Sequence, residues 1–261
     1  AALDTDWALT ADGTGSNDLS GTTPVDSNGS LLADTFALGE SGPSGYSASA
    51  WNCVGGTQNG SNITLGINQE ATCTITNNDI APTLKLVKNV INDNGGNSSS
   101  SAWTLTATGV EGFSDLGNSV TFHTVKAGVS YALSESSVSG YTGGSWTCNG
   151  GNQVGSNVTL GLNQNVTCEI TNNDQASYVK IIKNTVGGND TFGFTIAGPT
   201  PLTPQVTTAA NTGDTGLLQV NAGLYSVSES SIPTGWDLTG SSCDSGTPTG
   251  FTVPNGATVT C

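Results

Sequence analysis

The chain has 261 residues, no arginine, five lysines and a formal net charge of −15 at pH 7. Such an acidic surface repels the phosphates of nucleic acids and of anionic membranes, which excludes both as partners. No apolar run is long enough to cross a membrane as a helix, so we expect no membrane insertion.

Short runs of alternating apolar and polar residues are the predicted elements. Clusters of glycine, asparagine, serine and aspartate separate these runs, and no stretch has a helical period. This spacing is typical of a β-sandwich. In the centre of the chain, the runs in order are TLKLVK (83–88), WTLTAT (103–108), SVTFHTV (119–125), VSYALSE (129–135), SNVTL (156–160) and NVTCEITN (165–172).

The chain also repeats itself with a period near 95 residues. The segment SAWNCVGGTQNGSNITLGINQEATCTITNND (49–79) matches GSWTCNGGNQVGSNVTLGLNQNVTCEITNND (144–174). A period of this length corresponds to a whole domain. We predict an all-β tandem array of Ig-like or prealbumin-like β-sandwich domains: 1–80, with its first strand missing; 81–174, complete; and 175–261, with its last strand missing.

The incomplete outer repeats leave two interpretations open. The chain is a window cut from a longer array, or a neighbouring chain supplies the missing strands. The segments between repeats, DIAPT (79–83) and DQAS (174–177), are very short. Linkers of this length favour a stiff rod.

Each repeat carries one pair of cysteines about twenty residues apart. This regular pairing, without the CxxC spacing of metal sites, predicts three disulfides, with free buried thiols as the alternative. Disulfides indicate an oxidising compartment outside the cytoplasm. The predicted pairs are Cys53 with Cys73, Cys148 with Cys168, and Cys243 with Cys261.

Strand alternation places three polar side chains on the apolar faces of the complete repeat: Lys88, Glu135 and Asn172. Burial of an unpaired charge is costly, so we expect the three to meet. One outcome is a buried lysine–glutamate pair that hydrogen-bonds the asparagine. The other is a covalent bond between the lysine amine and the asparagine side-chain carbonyl, with loss of ammonia.

The order of a lysine in the first strand, the motif ESSVSGY at 135–141 and an asparagine in the last strand resembles the Cna B-type domain. This domain, also called SpaA-like or prealbumin-like, occurs in bacterial surface adhesins and pilins. In that family a glutamate promotes an intramolecular Lys–Asn isopeptide bond. The resemblance implies that Glu135 promotes a bond between Lys88 and Asn172, and that the equivalent residues are Glu40, Glu229, Lys183 and Asn77.

The sequence departs from the family pattern in three places. Ser136 stands where the family often has threonine, the proline before the Gly-Tyr pair is absent from the middle repeat, and the cysteine pairs are additional.

The chemistry of a Lys–Asn bond agrees with the effects of burial on these groups. Burial lowers the pKa of a lysine, and a neutral amine is the required nucleophile. A protonated glutamate polarises the amide and relays protons.

Other candidate sites have simpler interpretations. His123 is the only histidine, which excludes a catalytic triad or a histidine-based metal site, and we expect a half-exposed strand residue. The sequence NDNGG (92–96), with Asp79 and Asp174, would suit calcium, but the same residues are ordinary turn formers. Trp51 and Trp146 are either a sugar-binding platform or packing beside the cysteines. We predict no metal site and no cofactor, with calcium as the one alternative.

These features together predict a structural segment of an extracellular, cell-surface fibre, pilus-like filament or adhesin stalk. Its partners would be other copies of itself in a filament or longer array. The alternative is a ligand-binding adhesin module with a host or matrix ligand. No turnover enzyme is expected, because isopeptide formation acts once and consumes its own residues.

Overall fold

The computed structural model describes residues 2–261, and it confirms the prediction of an all-β chain. In this range the helical elements are two short 3₁₀ helices, Asp4–Asp6 and Ser100–Ala102. None of the helices within residues 2–261 has the length and apolar character needed to cross a membrane.

The first repeat is built on one five-stranded antiparallel sheet in the order β2-β1-β3-β7-β6, with two strand pairs, β4-β9 and β5-β8. Its strands are β1 (Ala8–Asp12), β2 (Leu19–Thr22), β3 (Asp34–Ser41), β4 (Tyr46–Ala48), β5 (Asn52–Val54), β6 (Thr57–Asn59), β7 (Asn62–Leu65), β8 (Thr72–Thr74) and β9 (Asn77–Asp79).

The second repeat has two five-stranded sheets. One has the order β12-β11-β14-β18-β17, and the other has the order β13-β10-β19-β15, with β16 also paired to β19. The strands are β10 (Thr83–Ile91), β11 (Thr104–Thr108), β12 (Phe113–Leu116), β13 (His123–Thr124), β14 (Ser130–Glu135), β15 (Tyr141–Gly143), β16 (Thr147–Asn149), β17 (Asn152–Val154), β18 (Asn157–Thr159) and β19 (Asn165–Asp174).

The third repeat contains sheets in the orders β25-β20-β28 and β23-β22-β26-β27, together with the pair β21-β24. Its strands are β20 (Ser177–Lys180), β21 (Ile182–Asn184), β22 (Thr191–Ala197), β23 (Gln205–Thr207), β24 (Thr212–Asp214), β25 (Leu218–Val220), β26 (Gly223–Ser231), β27 (Phe251–Val253) and β28 (Thr258–Thr260).

Buried apolar side chains alternate along these strands, as two-residue periodicity requires. In β10, Leu84 and Leu86 are buried, and in β19 every second residue from Val166 to Asp174 is buried. The first repeat buries fewer large apolar side chains, chiefly Phe36 and Ile63. A counterpart of β10, which would supply two core leucines, is absent from residues 2–82.

The Cα positions divide the chain into two compact units. The first comprises 1–83, 124–129 and 159–166, and the second comprises 84–123, 130–158 and 167–261. The second unit thus holds most of the second repeat and all of the third. The division into domains at 80/81 and 174/175 remains a prediction from the sequence repeat.

An edge-to-face aromatic pair recurs in all three repeats. The first ring lies just before or near the start of β1, β11 or β22, and the second ring directly follows a glycine in a turn. This geometry is favourable for aromatic rings and fixes the glycine turn on the core. The pairs are Trp7–Tyr46 at 5.5 Å, Trp103–Tyr141 at 5.1 Å and Phe192–Trp236 at 5.4 Å between ring centres.

Candidate functional site

Lys88 is a lysine buried inside the second repeat. It lies in β10 on the same face as Leu84 and Leu86, and its side chain has no exposed surface. Its Nζ lies 2.6 Å from Oε2 of Glu135, at the end of β14. The two strands belong to different sheets, so this contact joins the two layers of the sandwich.

Asn172 completes the cluster from β19. It is 3% exposed, and its Nδ2 donates a hydrogen bond of 2.8 Å to Oε1 of Glu135. One carboxylate therefore binds the lysine through one oxygen and the asparagine through the other. Three side chains that are far apart in sequence meet as strand alternation predicts.

The surroundings of Lys88 disfavour its charged form. Burial lowers the pKa of Lys88, and the hydrogen bond and charge of Glu135 oppose this shift without cancelling it. Nζ also lies 4.8 Å from the ring centre of the fully buried Trp103, a contact that favours the ammonium and so, like Glu135, opposes the effect of burial. A depressed lysine pKa makes the neutral amine more accessible, and the neutral amine is the nucleophilic form.

The absence of a side chain at Gly143 leaves room for the Lys88–Glu135–Asn172 cluster. A Cβ atom at this position would lie 2.6 Å from Oε1 of Glu135 and 3.3 Å from Oδ1 of Asn172. That same Oδ1 is buried and accepts no hydrogen bond. Half a turn of the amide would place Oδ1 against a protonated Glu135, which could then donate to it. Gly143 cannot be identified from the sequence, since nothing local marks a glycine that opposes a distant carboxylate.

The outer repeats hold the corresponding pairs. In the first repeat, Nδ2 of Asn77 donates to Oε2 of Glu40 at 2.9 Å. In the third, Nζ of Lys183 lies 2.7 Å from Oε1 of Glu229 and 4.2 Å from the ring centre of Phe192. Each repeat thus brings together the members of the cluster that it contains.

Three disulfides join the cysteines in the pairs that the sequence predicts, and no cysteine within the described residues 2–261 is free. The first two bonds link directly opposed residues of neighbouring strands, β5 with β8 and β16 with β19. The pairs are Cys53–Cys73, Cys148–Cys168 and Cys243–Cys261.

In each of the first two repeats, a glutamine makes hydrogen bonds to the backbone beside the disulfide. The backbone N–H of Cys148 donates to Oε1 of Gln153, whose Nε2 donates to the carbonyls of Trp146 and Gly155. Gln58 makes the same three bonds in the first repeat. Gln58 and Gln153 are not among the predicted site residues, although their recurrence after 95 positions is a usable signal. Trp146 is 8% exposed, which favours packing over a sugar-binding platform.

Hydrogen-bond donors surround the carboxylate of Asp174, which does not suit a calcium site. It is 3% exposed, and the backbone N–H groups of Asp93, Asn94 and Gly96 donate to its carboxylate at 2.9, 2.9 and 2.6 Å. The NDNGG loop therefore presents donors to an anion, whereas calcium requires oxygen ligands. Across the part of the chain that the structure describes, no group of three His, Cys, Asp or Glu residues could hold a metal ion.

Replacing Asp174 with asparagine is expected to destabilise the second repeat by ~2 kcal/mol, because charge-assisted hydrogen bonds from three N–H groups are lost. Burial raises the pKa of Asp174, but these N–H groups outweigh it and the net pKa lies below 3.8. The ionised form therefore stabilises the fold above pH 3.8, and this contribution is lost as the pH falls through the lower, folded-state pKa.

Chemical denaturation of Asp174→Asn at neutral pH measures this effect, and Asp79→Asn is the matched control. Asp79 occupies the equivalent place in the first repeat but is exposed, so its substitution should change stability by less than ~0.5 kcal/mol. Equal effects of the two substitutions would contradict the prediction.

His123 is the half-exposed strand residue that the sequence predicts. It lies in β13 with its side chain 31% exposed, its Nε2 is 2.8 Å from Oδ2 of Asp115, and its ring stacks on Phe113. Both contacts are local, so His123 has a packing role here.

The architecture defines a class of protein: tandem, disulfide-bonded β-sandwich domains with a prealbumin-like fold. Two SpaA family models, both described as prealbumin-like fold domains, match the chain, one over residues 1–75 and 79–170 and the other over 179–261. The chain belongs to this family, which confirms the resemblance drawn from its lysine, glutamate and asparagine pattern.

Several solved structures have a distantly similar fold. A C-terminal fragment of the pilus adhesin SpaC from Lactobacillus rhamnosus GG is 12% identical, with 62% of this chain and 80% of the fragment covered and a TM-score of 0.36. The Bacillus anthracis TIE protein is 12% identical, with coverages of 98% and 51% and a TM-score of 0.43. A streptococcal ancillary pilin is 17% identical, with coverages of 67% and 62% and a TM-score of 0.23.

The chain thus spans about half of the TIE protein. No curated protein sequence is similar enough to count as a match. The identification therefore comes from the two domain matches, and the structural likenesses add no assignment of function.

Proposed function

We propose that this chain is a structural segment of an extracellular fibre, pilus-like filament or adhesin stalk. Each repeat would be held by its disulfide and, where all three residues meet, by a Lys–Asn isopeptide bond. The observation that carries the proposal is the Lys88–Glu135–Asn172 cluster, in which one carboxylate contacts both reacting side chains between the two sheets of the second repeat. The family consists of structural domains, and a one-time internal reaction fits such a role.

The bond-forming step would start along the contact of 2.6 Å between Lys88 and Glu135. Proton transfer from the ammonium to the carboxylate leaves a neutral amine and a protonated acid. The amine attacks Cγ of Asn172 while Glu135 hydrogen-bonds the amide oxygen. A new N–C bond forms, the bond from Cγ to Nδ2 breaks, and Nδ2 leaves as ammonia with protons relayed by Glu135.

Features outside the cluster support a place on the cell surface. Three disulfides suit an oxidising environment. Five lysines and no arginine offer few sites to trypsin-like proteases. The net charge of −15 would keep neighbouring fibres soluble and apart.

The intact mass of the whole chain, measured after reduction of its disulfides, tests the proposal. We expect a mass that is short by one ammonia and no more, because only the second repeat contains all three residues. Peptide mapping should then find Lys88 joined to Asn172. A full mass would overturn the isopeptide and leave a buried ion pair reinforced by the disulfides alone.

A further inference from the structure

A short turn recurs at the equivalent place near the end of each repeat. Its three residues are Gly66-Ile67-Asn68, Gly161-Leu162-Asn163 and Pro254-Asn255-Gly256, and we call the middle residue of each the knob. The residue after the knob is left-handed in all three, with φ of 57°, 57° and 74°. Each knob therefore occupies the same position of an equivalent turn.

A second recurring feature is the glycine before the aromatic residue of the edge-to-face pair. Gly45, Gly140 and Gly235 have φ of 89°, 79° and 90°, in the left-handed region that favours glycine. We call each of them the socket glycine. The aromatic residue that follows is held by its edge-to-face partner, so the socket has a fixed position in its own repeat.

In two places a knob occupies the socket of the repeat before it. Leu162 packs on Gly45 so closely that a Cβ there would lie 2.6 Å from the leucine Cβ. The N–H of the next residue, Asn163, donates to the carbonyl of Ile80 at 2.8 Å. This first junction lies wholly within the first compact unit.

The second junction repeats the arrangement with a different knob. Nδ2 of Asn255 donates to the carbonyl of Gly140 at 2.7 Å, and a Cβ on Gly140 would lie 2.7 Å from the carbonyl oxygen of Asn255. This contact lies wholly within the second compact unit. An apolar and a polar knob thus use the same kind of socket, because the fit depends on the glycine having no side chain.

Within residues 2–261, one knob and one socket are unoccupied. Ile67 is 85% exposed, and apart from Gly235 and its two chain neighbours no described atom lies within 4 Å of the position of a Cβ on Gly235. An exposed isoleucine alone indicates little. Its counterparts Leu162 and Asn255 are both docked on socket glycines, which indicates that Ile67 also fits such a socket.

We propose that Ile67 of one molecule docks on the Gly235 turn of a second copy of this chain, which reproduces the internal junctions between molecules. The proposal rests on the assembly role proposed above and identifies the two surfaces that meet. The knob and socket are different surfaces, so the contact is head-to-tail, and each member of a pair keeps an unoccupied knob or socket for a further copy. Without the covalent linkage that raises effective concentration within one chain, the contact between separate molecules is weak.

Concentration-dependent NMR of the whole chain tests this directly. With labelled isoleucine and valine methyl groups and labelled amides, the spectrum is followed from micromolar to millimolar protein. We expect the Ile67 methyl and the Gly235 amide signals to shift together along one binding curve. The methyls of Val186, which is 95% exposed but belongs to no knob, should stay in place.

Gly235→Ala supplies the matched variant, because a Cβ in the socket would meet the incoming knob. Gly216→Ala is the control, since Gly216 also has a positive φ, of 66°, and also has nothing within 4 Å of its Cβ position. The Ile67 shift should disappear in Gly235→Ala and persist in Gly216→Ala. An Ile67 signal that does not move, or that moves equally in Gly235→Ala, would overturn the proposal. The mass measurement of the isopeptide is independent, so either result can fail alone.

Discussion

Glu135→Ala is expected to abolish the loss of ammonia and to destabilise the second repeat by about 3–5 kcal/mol, the range seen when one partner of a buried ion pair is removed. Without Glu135, the Lys88 ammonium stays beside Trp103 with no carboxylate to accept its proton. The reaction then lacks the carboxyl group that relays protons to the leaving ammonia, and Asn172 loses the group that polarises its amide. Intact mass and chemical denaturation measure the two effects.

Two further variants separate the ion pair from the bond. The double substitution Lys88→Met with Glu135→Ala removes both charges, so stability should recover relative to Glu135→Ala while the mass stays complete. Glu40→Ala is the matched control in the first repeat, where Glu40 accepts a hydrogen bond from Asn77. It should cost ~1 kcal/mol, and the chain should still lose one ammonia in its second repeat. A Glu135→Ala chain that still loses ammonia would exclude Glu135 from the reaction.

Removal of the Cys148–Cys168 disulfide by two alanine substitutions is expected to cost at least ~3 kcal/mol in the second repeat. The cost has two sources. The bond closes a loop with a sequence separation of 20, which restricts the unfolded chain, and Cys168 is fully buried in the core. Its replacement by alanine therefore also removes packing.

The Cys53–Cys73 disulfide is a matched comparison, because its sequence separation is also 20. The chain-entropy contribution is therefore the same for both bonds. Both of its cysteines are only partly buried, so its removal should cost less than removal of Cys148–Cys168. Hydrogen exchange of amides in β8 and β19 reports each repeat separately. A larger loss for Cys53–Cys73 would show that core packing does not decide the difference.

The sequence alone determined the features that depend on order and periodicity. Alternation of apolar and polar residues predicted the strands, and it placed Lys88, Glu135 and Asn172 on buried faces, since side chains of a strand alternate with a period of two. The 95-residue repeat identified the cysteine pairs, because a pair that recurs in every copy is already matched to its partner. The resemblance to the SpaA-like family followed from the same few positions, and the two domain matches then established membership.

The tertiary structure decided whatever depends on atoms that approach from distant segments. Asp174 has the same strand parity as Asn172, yet only the fold shows that the loop at 93–96 turns its N–H groups toward that carboxylate. The clearance at Gly143 and the docking of Leu162 on Gly45 are of the same kind. Each depends on open space beside a bare backbone, and such space is created by the packing of separate strands. Local sequence patterns specify which face a side chain takes, but they do not specify what lies across from it.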